Sequence, residues 1–254
     1  MSAINDVKKY FAEQKAFIPA GDFTKAGRLR SMLIADSSRG ALRNQESGRV
    51  DRGRLANLVA GDPRVFKRKH PRQDTNTFVQ ICVDASYSMN RGLTTQALIV
   101  LDSVFRGTQI KHEIISWCGG DKCRKGDFSF RMSQLRSPND PPSKDWTIGA
   151  YAVVHGGCTP TAGALPICAN RLIEQRDCRK VMIFVSDGDP NLKEEVPECR
   201  KIVTEVLPKC GVEVFGISIG RRSKLEQIIP MCGHAKTFGD FTDVLLDTAK
   251  RALL

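Results

Sequence analysis

The stretch TFVQICVDASYSMN, residues 77–90, contains the features that decide both the fold and the candidate site. Its first seven residues, Thr77–Val83, are nearly all apolar and β-prone, which is the composition of a strand buried on both faces. Asp84 then ends the run, and Ser86 and Ser88 follow at alternate positions. The sequence therefore predicts a buried strand whose end carries three oxygen-bearing side chains that could converge.

Strand and helix patterns alternate in the rest of this region, which predicts an α/β fold: a doubly wound, mostly parallel sheet flanked by helices. Between Cys118 and Gly149 the sequence is rich in Gly, Pro and charge, and there it predicts one edge strand (FSFRM) and a long surface loop. Pro166 predicts a late start or a kink in its helix. The further predicted strands are Ile110–Trp117, Lys180–Ser186 and Val212–Gly220. The predicted helices are Thr94–Arg106, Thr161–Gln175, one within Asn191–Leu207 that begins near Pro197, SKLEQIIP and FTDVLLDTAKRALL.

Residues 1–75 differ in character and are predicted to form a basic, mainly helical N-terminal segment ahead of a domain at 76–254. Helix-spaced apolar residues predict helices in INDVKKYFAEQKAF and GDFTKAGRLRSMLIADSSRGALRN, and a third from an N-cap at Asp51 to Val59. Residues 1–76 carry 16 Lys and Arg against 8 Asp and Glu, a net charge of +8, whereas the remainder contributes +3. This charge indicates a contact surface for nucleic acid or an acidic protein, or else a solvated arm.

The overall composition argues against a membrane protein, a secreted protein and a stand-alone enzyme. The 254 residues contain no apolar run approaching the roughly 20 residues of a membrane span, and the first residues lack the layout of a signal peptide. We therefore expect a cytoplasmic protein without membrane contact, and the nine cysteines are interpreted as reduced small hydrophobes. The chain has no phosphate-binding loop and its four histidines are scattered, so we expect no catalytic activity from this chain alone.

Three loops offer oxygen ligands at the predicted carboxyl edge of the sheet, where open α/β sheets bind ligands. Asp84, Ser86 and Ser88 form the first set, Thr159 in HGGCTPTAGAL the second, and Asp187 in FVSDGDPN the third. Two carboxylates and three hydroxyls suit Mg²⁺, or Mn²⁺ or Ca²⁺, and the remaining coordination position could take a carboxylate from another molecule. Each loop alone is also common as a plain turn or helix entry.

A second constellation near this edge has two interpretations. Cys118 and Cys123, together with Cys158 or His155, could bind zinc, although their spacing fits no common zinc motif. Otherwise they are reduced cysteines of a loop.

The order of the three loops, Asp-x-Ser-x-Ser, then Gly-Gly with Thr-Pro-Thr and Ala-Leu, then Ser-Asp-Gly after a strand, resembles a von Willebrand factor type A domain over residues 76–254. The resemblance implies a metal-ion-dependent adhesion site. There Ser86, Ser88 and Thr159 would bind the ion, and Asp84 and Asp187 would bind it directly or through water. Two positions depart from the pattern: Tyr87 stands where the family often has Gly, and Cys158 lengthens the usual Gly-Gly-Thr.

A narrower resemblance is to the T subunit of the aerobic cobaltochelatase. It rests on GRVDRGRLANLVAGDPRVFKRK ahead of NTFVQICVDASYSM, and on VFGISIG followed by FTDVLLDTAKRALL. It implies a partnership with a hexameric AAA+ ATPase of the MoxR type, and short stand-alone relatives occur in bacteriophage and bacterial genomes. The chain is much shorter than a full T subunit and lacks that family's long acidic stretch.

The leading hypothesis is therefore a Mg²⁺-dependent protein-binding module that captures an acidic residue of a partner such as this ATPase. A nucleic-acid binder that uses the arginines and lysines between Arg28 and Arg72 is the alternative from the charge pattern. A strict chelatase subunit, which aids metal insertion into a tetrapyrrole, is the third.

Overall fold

The computed structural model describes residues 2–38, 41–47, 49–50, 63–69, 76–108, 110–120, 130–176, 178–187, 196–219, 225–237 and 239–253. Six of the strands in these residues form one sheet. They are β4 (Thr77–Asp84), β5 (Lys111–Gly119), β6 (Phe130–Arg136), β7 (Arg179–Ser186), β8 (Val212–Ile219) and β9 (Cys232–Ala235). Their order in the sheet is β6-β5-β4-β7-β8-β9, and every neighbouring pair is parallel except β5 and β6, which are antiparallel.

The described residues also form eight α-helices, which flank the sheet and complete the predicted α/β fold. A 3₁₀-helix at Pro142–Ala150 precedes the fourth of them, and a π-helical turn at Ile202–Val206 follows the sixth. The helices are α1 (Ser2–Ala16), α2 (Ala20–Ser38), α3 (Arg91–Phe105), α4 (Tyr151–Val154), α5 (Thr161–Ile173), α6 (Val196–Lys201), α7 (Leu225–Ile228) and α8 (Phe241–Leu253).

Strand β4 explains why the strand sequences are almost continuously apolar. All eight of its residues are buried. Alternate side chains belong to two hydrophobic clusters, with Val79, Ile81 and Val83 in one and Phe78 and Cys82 in the other. Because successive side chains of a strand point to opposite faces, helices must cover the sheet on both sides.

The predicted doubly wound fold is confirmed, with corrections to individual elements. The region from Cys118 to Gly149 was predicted as a loop with one short strand, but its described part contains the seven-residue strand β6 and the nine-residue 3₁₀-helix. Strand β9 was not predicted. Pro166 neither delays nor ends its helix, since α5 begins at Thr161 and continues through it.

The two predicted N-terminal helices are present and pack on the rest of the fold. Phe11 of α1 and Ala26 and Leu29 of α2 are buried in the same cluster as Val79. In addition, the strands β1 (Ala41–Gln45), β2 (Arg49–Val50) and β3 (Phe66–Lys69) form a small antiparallel sheet that the sequence did not predict. The helix predicted from Asp51 to Val59 lies outside the described residues, and the division of the chain at residue 75 stays a prediction.

Within the described part of the chain, none of the helices combines the length and the apolar character needed to cross a bilayer.

Candidate metal centre

The order of the strands places the candidate site at the centre of the sheet. The chain runs from β4 outward to β5 and β6, then crosses back to place β7 on the other side of β4. The crevice outside the carboxyl ends of β4 and β7 is therefore the topological switch point, where ligands bind in open α/β sheets. Asp84 ends β4, and Asp187 directly follows β7, so the topology brings the two predicted carboxylates to this crevice.

Asp84 is the innermost member of the set, with a side chain that has no solvent exposure. Its Oδ1 accepts a hydrogen bond of 2.8 Å from the backbone N–H of Ser86, and its Oδ2 accepts one of 2.6 Å from the hydroxyl of Ser186. Burial raises the pKa of Asp84 to about 7, the nearby charge of Asp187 adds to this, and the hydrogen bonds from Ser186 and Ser86 act in the opposite direction. A nearby cation would favour the ionised carboxylate.

The two serines connect Asp84 to Asp187. The hydroxyls of Ser86 and Ser88 lie 3.1 Å apart, and the Ser88 hydroxyl donates a 2.8 Å hydrogen bond to Oδ1 of Asp187. Burial raises the pKa of Asp187 as well, against the opposing effects of the Ser88 hydrogen bond and the charge of His155. Four of the five predicted ligands thus form one continuous hydrogen-bonded group.

Thr159 lies on the neighbouring loop, with a buried side chain. No hydrogen bond between described residues joins its hydroxyl to the other four side chains. The backbone nevertheless holds its loop against the Asp84 loop: Gly156 N donates to Ala85 O at 2.6 Å, and Tyr87 N donates to Gly157 O at 3.1 Å. Thr159 therefore lies beside the hydrogen-bonded group of the other four residues, on a loop that two backbone hydrogen bonds hold against the Asp84 loop.

The Gly-Gly pair of this loop is required by its backbone geometry. Gly156 and Gly157 have φ values of 145° and 95°, which residues with a side chain rarely adopt. A Cβ added to Gly157 would lie 2.1 Å from the carbonyl oxygen of Gly119. Only glycine allows this close approach between the loop and the end of β5.

The structure adds Ser186 and Tyr151 to the site, and it gives His155, which the sequence placed near this edge, a structural role. Ser186 donates to the Asp84 carboxylate, the hydroxyl of buried Tyr151 donates a 2.7 Å hydrogen bond to the Asp84 carbonyl, and His155 Nε2 donates to Met89 O at 2.7 Å. Ser186 could have been found from its place beside Asp187 at the end of a strand. Tyr151 had no such signal, because it follows the region interpreted as a loop.

The chemistry of the donors fits a divalent cation that prefers oxygen. Carboxylates and hydroxyls are ligands of Mg²⁺, Mn²⁺ and Ca²⁺, and a buried carboxylate is costly to ionise unless a cation or hydrogen bonds compensate. Among the described residues, no three or more His, Cys, Asp or Glu side chains form a group that could hold a metal ion. The candidate centre thus consists of hydroxyls together with only two carboxylates.

The zinc interpretation is not supported. Cys118 is a buried, reduced thiol whose Sγ lies 3.8 Å from Val154 O. Cys158 is disulfide-bonded and offers no thiolate, so the expectation of reduced cysteines was wrong at this position. Cys123 lies outside the described residues. The other described cysteines are reduced, namely Cys82, Cys168, Cys178, Cys199, Cys210 and Cys232.

Comparison with known proteins supports the fold assignment. No family model matches the chain. Proximal thread matrix protein 1 from the mussel byssus, solved with a zinc-occupied MIDAS motif, is 18% identical with a TM-score of 0.53, and the match covers 70% of this chain and 46% of that one. The pilus adhesin SpaC from Lactobacillus rhamnosus GG, in its open conformation, is 14% identical with a TM-score of 0.56 and coverages of 72% and 30%.

A structure described as von Willebrand factor type A from Catenulispora acidiphila is 13% identical, with a TM-score of 0.48 and coverages of 70% and 43%. At these identities the likeness to the first two structures establishes the fold alone, which is the mostly parallel α/β fold described above. The chain spans less than half the length of each of these three proteins.

Proposed function

We propose that this protein is a binding module in which Asp84, Ser86, Ser88, Thr159 and Asp187 hold a divalent cation, Mg²⁺ in the first place, that captures a carboxylate of a protein partner. The observation that carries the proposal is the position of Asp84. Its fully buried carboxylate lies at the switch point of the sheet, where a chain of hydrogen bonds through Ser86 and Ser88 connects it to a second carboxylate.

Different residues orient the Asp84 carboxylate and fix the backbone around it. Ser186 and the Ser86 amide orient the Asp84 carboxylate, and Tyr151 fixes the backbone at the same residue. The hydroxyl of Ser88 lies closer to the surface, since Ser88 is exposed whereas Ser86 and Asp84 are buried. When bound, a divalent cation supplies positive charge and a coordination position for an anionic ligand.

Metal titration tests this proposal directly. We expect calorimetry with Mg²⁺, Mn²⁺ and Ca²⁺ to show one site in the wild type, and Asp84→Ala to abolish it. The matched control is Asp247→Asn, because Asp247 is a carboxylate on α8 that is 53% exposed and paired with Arg251. Equal metal binding by wild type and Asp84→Ala would refute the proposal.

The partner we propose is a AAA+ ATPase of the MoxR type, as the resemblance to the cobaltochelatase T subunit suggests. We expect an affinity purification from the native source to recover this ATPase with wild type in Mg²⁺, but neither with wild type in EDTA nor with Asp84→Ala in Mg²⁺. A role in tetrapyrrole metal insertion would additionally require the recovered complex to insert the metal in an ATP-dependent assay. Recovery of the same proteins under all three conditions would contradict metal-dependent capture.

The net charge of +8 on residues 1–76 favours nucleic acid as a second candidate ligand. Binding through phosphate contacts would weaken steeply with salt and would not require a divalent ion. A filter-binding assay on a DNA duplex between about 50 and 200 mM salt, with and without EDTA, separates this function from the metal-dependent one.

A further inference from the structure

Tyr87 stands between two of the proposed ligands yet points into solvent. Its side chain is 68% exposed, whereas that of the preceding residue, Ser86, is only 2% exposed. A large aromatic residue at the mouth of a site makes contact with whatever enters it. Aromatic side chains are enriched in the centres of protein interfaces, because they bury much surface with few rotatable bonds.

The ring of Tyr87 is held in place before any partner arrives. A Cβ added to Gly156 would lie 3.2 Å from Cε1 and 3.3 Å from Cζ of Tyr87, so the ring rests on the glycine backbone. The ring of His155 meets it edge-on, with centroids 6.5 Å apart and an interplanar angle of 85°. His155 is itself fixed by its hydrogen bond to Met89 O and by an edge contact with buried Tyr151. Binding against such a supported ring costs little conformational entropy.

We propose that Tyr87 and His155, here called the aromatic lip, select the residue next to the partner's carboxylate, and that the selected neighbour is a large neutral apolar residue. The inference rests on the proposed function, because it takes the proposed metal site as the anchor for the carboxylate. Tyr87 lies in the same five-residue stretch, 84–88, as Asp84, Ser86 and Ser88. A ligand whose carboxylate reaches these residues therefore passes its next side chain over the lip.

Charge decides which neighbour is preferred. The exposed face of an aromatic ring attracts both apolar groups and cations. A lysine or arginine over Tyr87 would lie close to the bound divalent cation and would be repelled by it. A second acidic residue would face the electron-rich ring. A leucine-like side chain gains contact with the ring without either penalty.

The experiment compares three capped tetrapeptides, Ac-Gly-Glu-Leu-Gly-NH₂, Ac-Gly-Glu-Gly-Gly-NH₂ and Ac-Gly-Glu-Lys-Gly-NH₂. Their dissociation constants are measured by NMR titration in saturating Mg²⁺ against the wild type, Tyr87→Ser, Tyr87→Phe and Val153→Ser. Val153 is the control because it is another exposed apolar residue near His155, 73% exposed on α4. The Mg²⁺ affinity of each variant is measured separately by calorimetry.

We expect the wild type to bind the leucine peptide about fivefold more tightly than the glycine peptide, with the lysine peptide weakest. Tyr87→Ser should remove the difference between leucine and glycine while keeping Mg²⁺ affinity within about twofold, and Tyr87→Phe and Val153→Ser should preserve it. Equal leucine and glycine affinities in the wild type, a preference for lysine, or an undiminished preference in Tyr87→Ser would overturn the aromatic lip alone. Absence of Mg²⁺ or glycine-peptide binding by the wild type would overturn the proposed function, and the lip with it.

Discussion

Replacing Asp84 by asparagine should stabilise the metal-free protein while abolishing metal binding. The folded state holds the pKa of this buried carboxyl at about 7, against about 4 in an unfolded chain. Because the pKa of Asp84 is higher in the folded than in the unfolded state, ionisation of this carboxyl destabilises the folded state. The destabilisation is absent near pH 4 and increases with pH up to about pH 7. A difference of about 3 pKa units corresponds to about 4 kcal/mol.

Asparagine has nearly the same shape and can keep both hydrogen bonds. Its Oδ1 can accept from the Ser86 amide, and its amide group can donate to the Ser186 hydroxyl, which can reverse its role. In EDTA, urea unfolding of Asp84→Asn should therefore give a free energy of unfolding up to about 4 kcal/mol above the wild type at pH 8, with the difference vanishing near pH 4. The Asp247→Asn control should change little at either pH.

Saturating Mg²⁺ should narrow the stability difference between the two proteins at pH 8. A ligand at 100 times its dissociation constant adds about 2.7 kcal/mol to the stability of the protein that binds it, and Asp84→Asn should gain none of this. The reasoning would be refuted if Asp84→Asn were less stable than the wild type in EDTA at pH 8, or if the difference did not depend on pH.

Three further predictions concern the loops and packing around the site. Gly157→Ala should lower the free energy of unfolding by more than about 2 kcal/mol in urea unfolding, whereas Gly27→Ala in α2, where a Cβ meets nothing within 4 Å, should be neutral or stabilise by up to about 1 kcal/mol. Phe11→Ala should lower the free energy of unfolding by about 3 kcal/mol, because the side chain of Phe11 is only 6% exposed. Phe17 is 70% exposed, so Phe17→Ala should change the free energy of unfolding by less than about 0.5 kcal/mol. Equal effects of the two substitutions would contradict the packing of α1. Asp102→Asn should lower the free energy of unfolding by about 3 kcal/mol at pH 7, and by progressively less as the pH is lowered towards 2. A loss of stability that did not change with pH would contradict a lowered pKa of Asp102.

The neighbours of Asp102 lower the pKa of its carboxyl group. Burial acts to raise its pKa, but the hydrogen bond and charge of His112 and the guanidiniums of Arg136 and Arg106 outweigh burial, so the net pKa lies below the ordinary value. A carboxyl whose pKa is lowered by folding contributes stability above its unfolded pKa, near 4, and loses this contribution as the pH falls through the folded pKa.

The central sheet could be predicted because burial on both faces leaves a local trace in the sequence. Strands β4, β7 and β8 are short and mostly apolar, and parallel strands bring their ends to one edge regardless of the loop lengths between them. The predicted ligands Asp84 and Asp187 are 103 positions apart in the sequence, yet they are joined through Ser88 because both follow such strands.

The elements that were missed depend on contacts between distant segments. The 3₁₀-helix Pro142–Ala150 has the Pro and polar content of a loop, and α1 and Tyr151 pack close to it. Strand β9 has only four residues, and it pairs with β8 through Gly216 and Gly233, which have no β-propensity. Cysteine pairing likewise depends on which thiols meet in space, so the odd count of nine did not reveal the disulfide at Cys158.

The packing of α1 connects the N-terminal segment physically to the candidate site. A Cβ on Gly149 would lie 2.8 Å from the backbone oxygen of Val7 and 2.9 Å from Cβ of Phe11, so α1 rests directly on the backbone of the 3₁₀-helix. Two residues later, Tyr151 donates its hydroxyl hydrogen bond to the Asp84 carbonyl. Because a packed interior transmits displacement rather than absorbing it, a shift of α1 moves the residue that fixes the backbone at the buried carboxylate. The N-terminal helix, which the sequence assigned to a separate basic segment, therefore helps to fix the geometry of the proposed metal site.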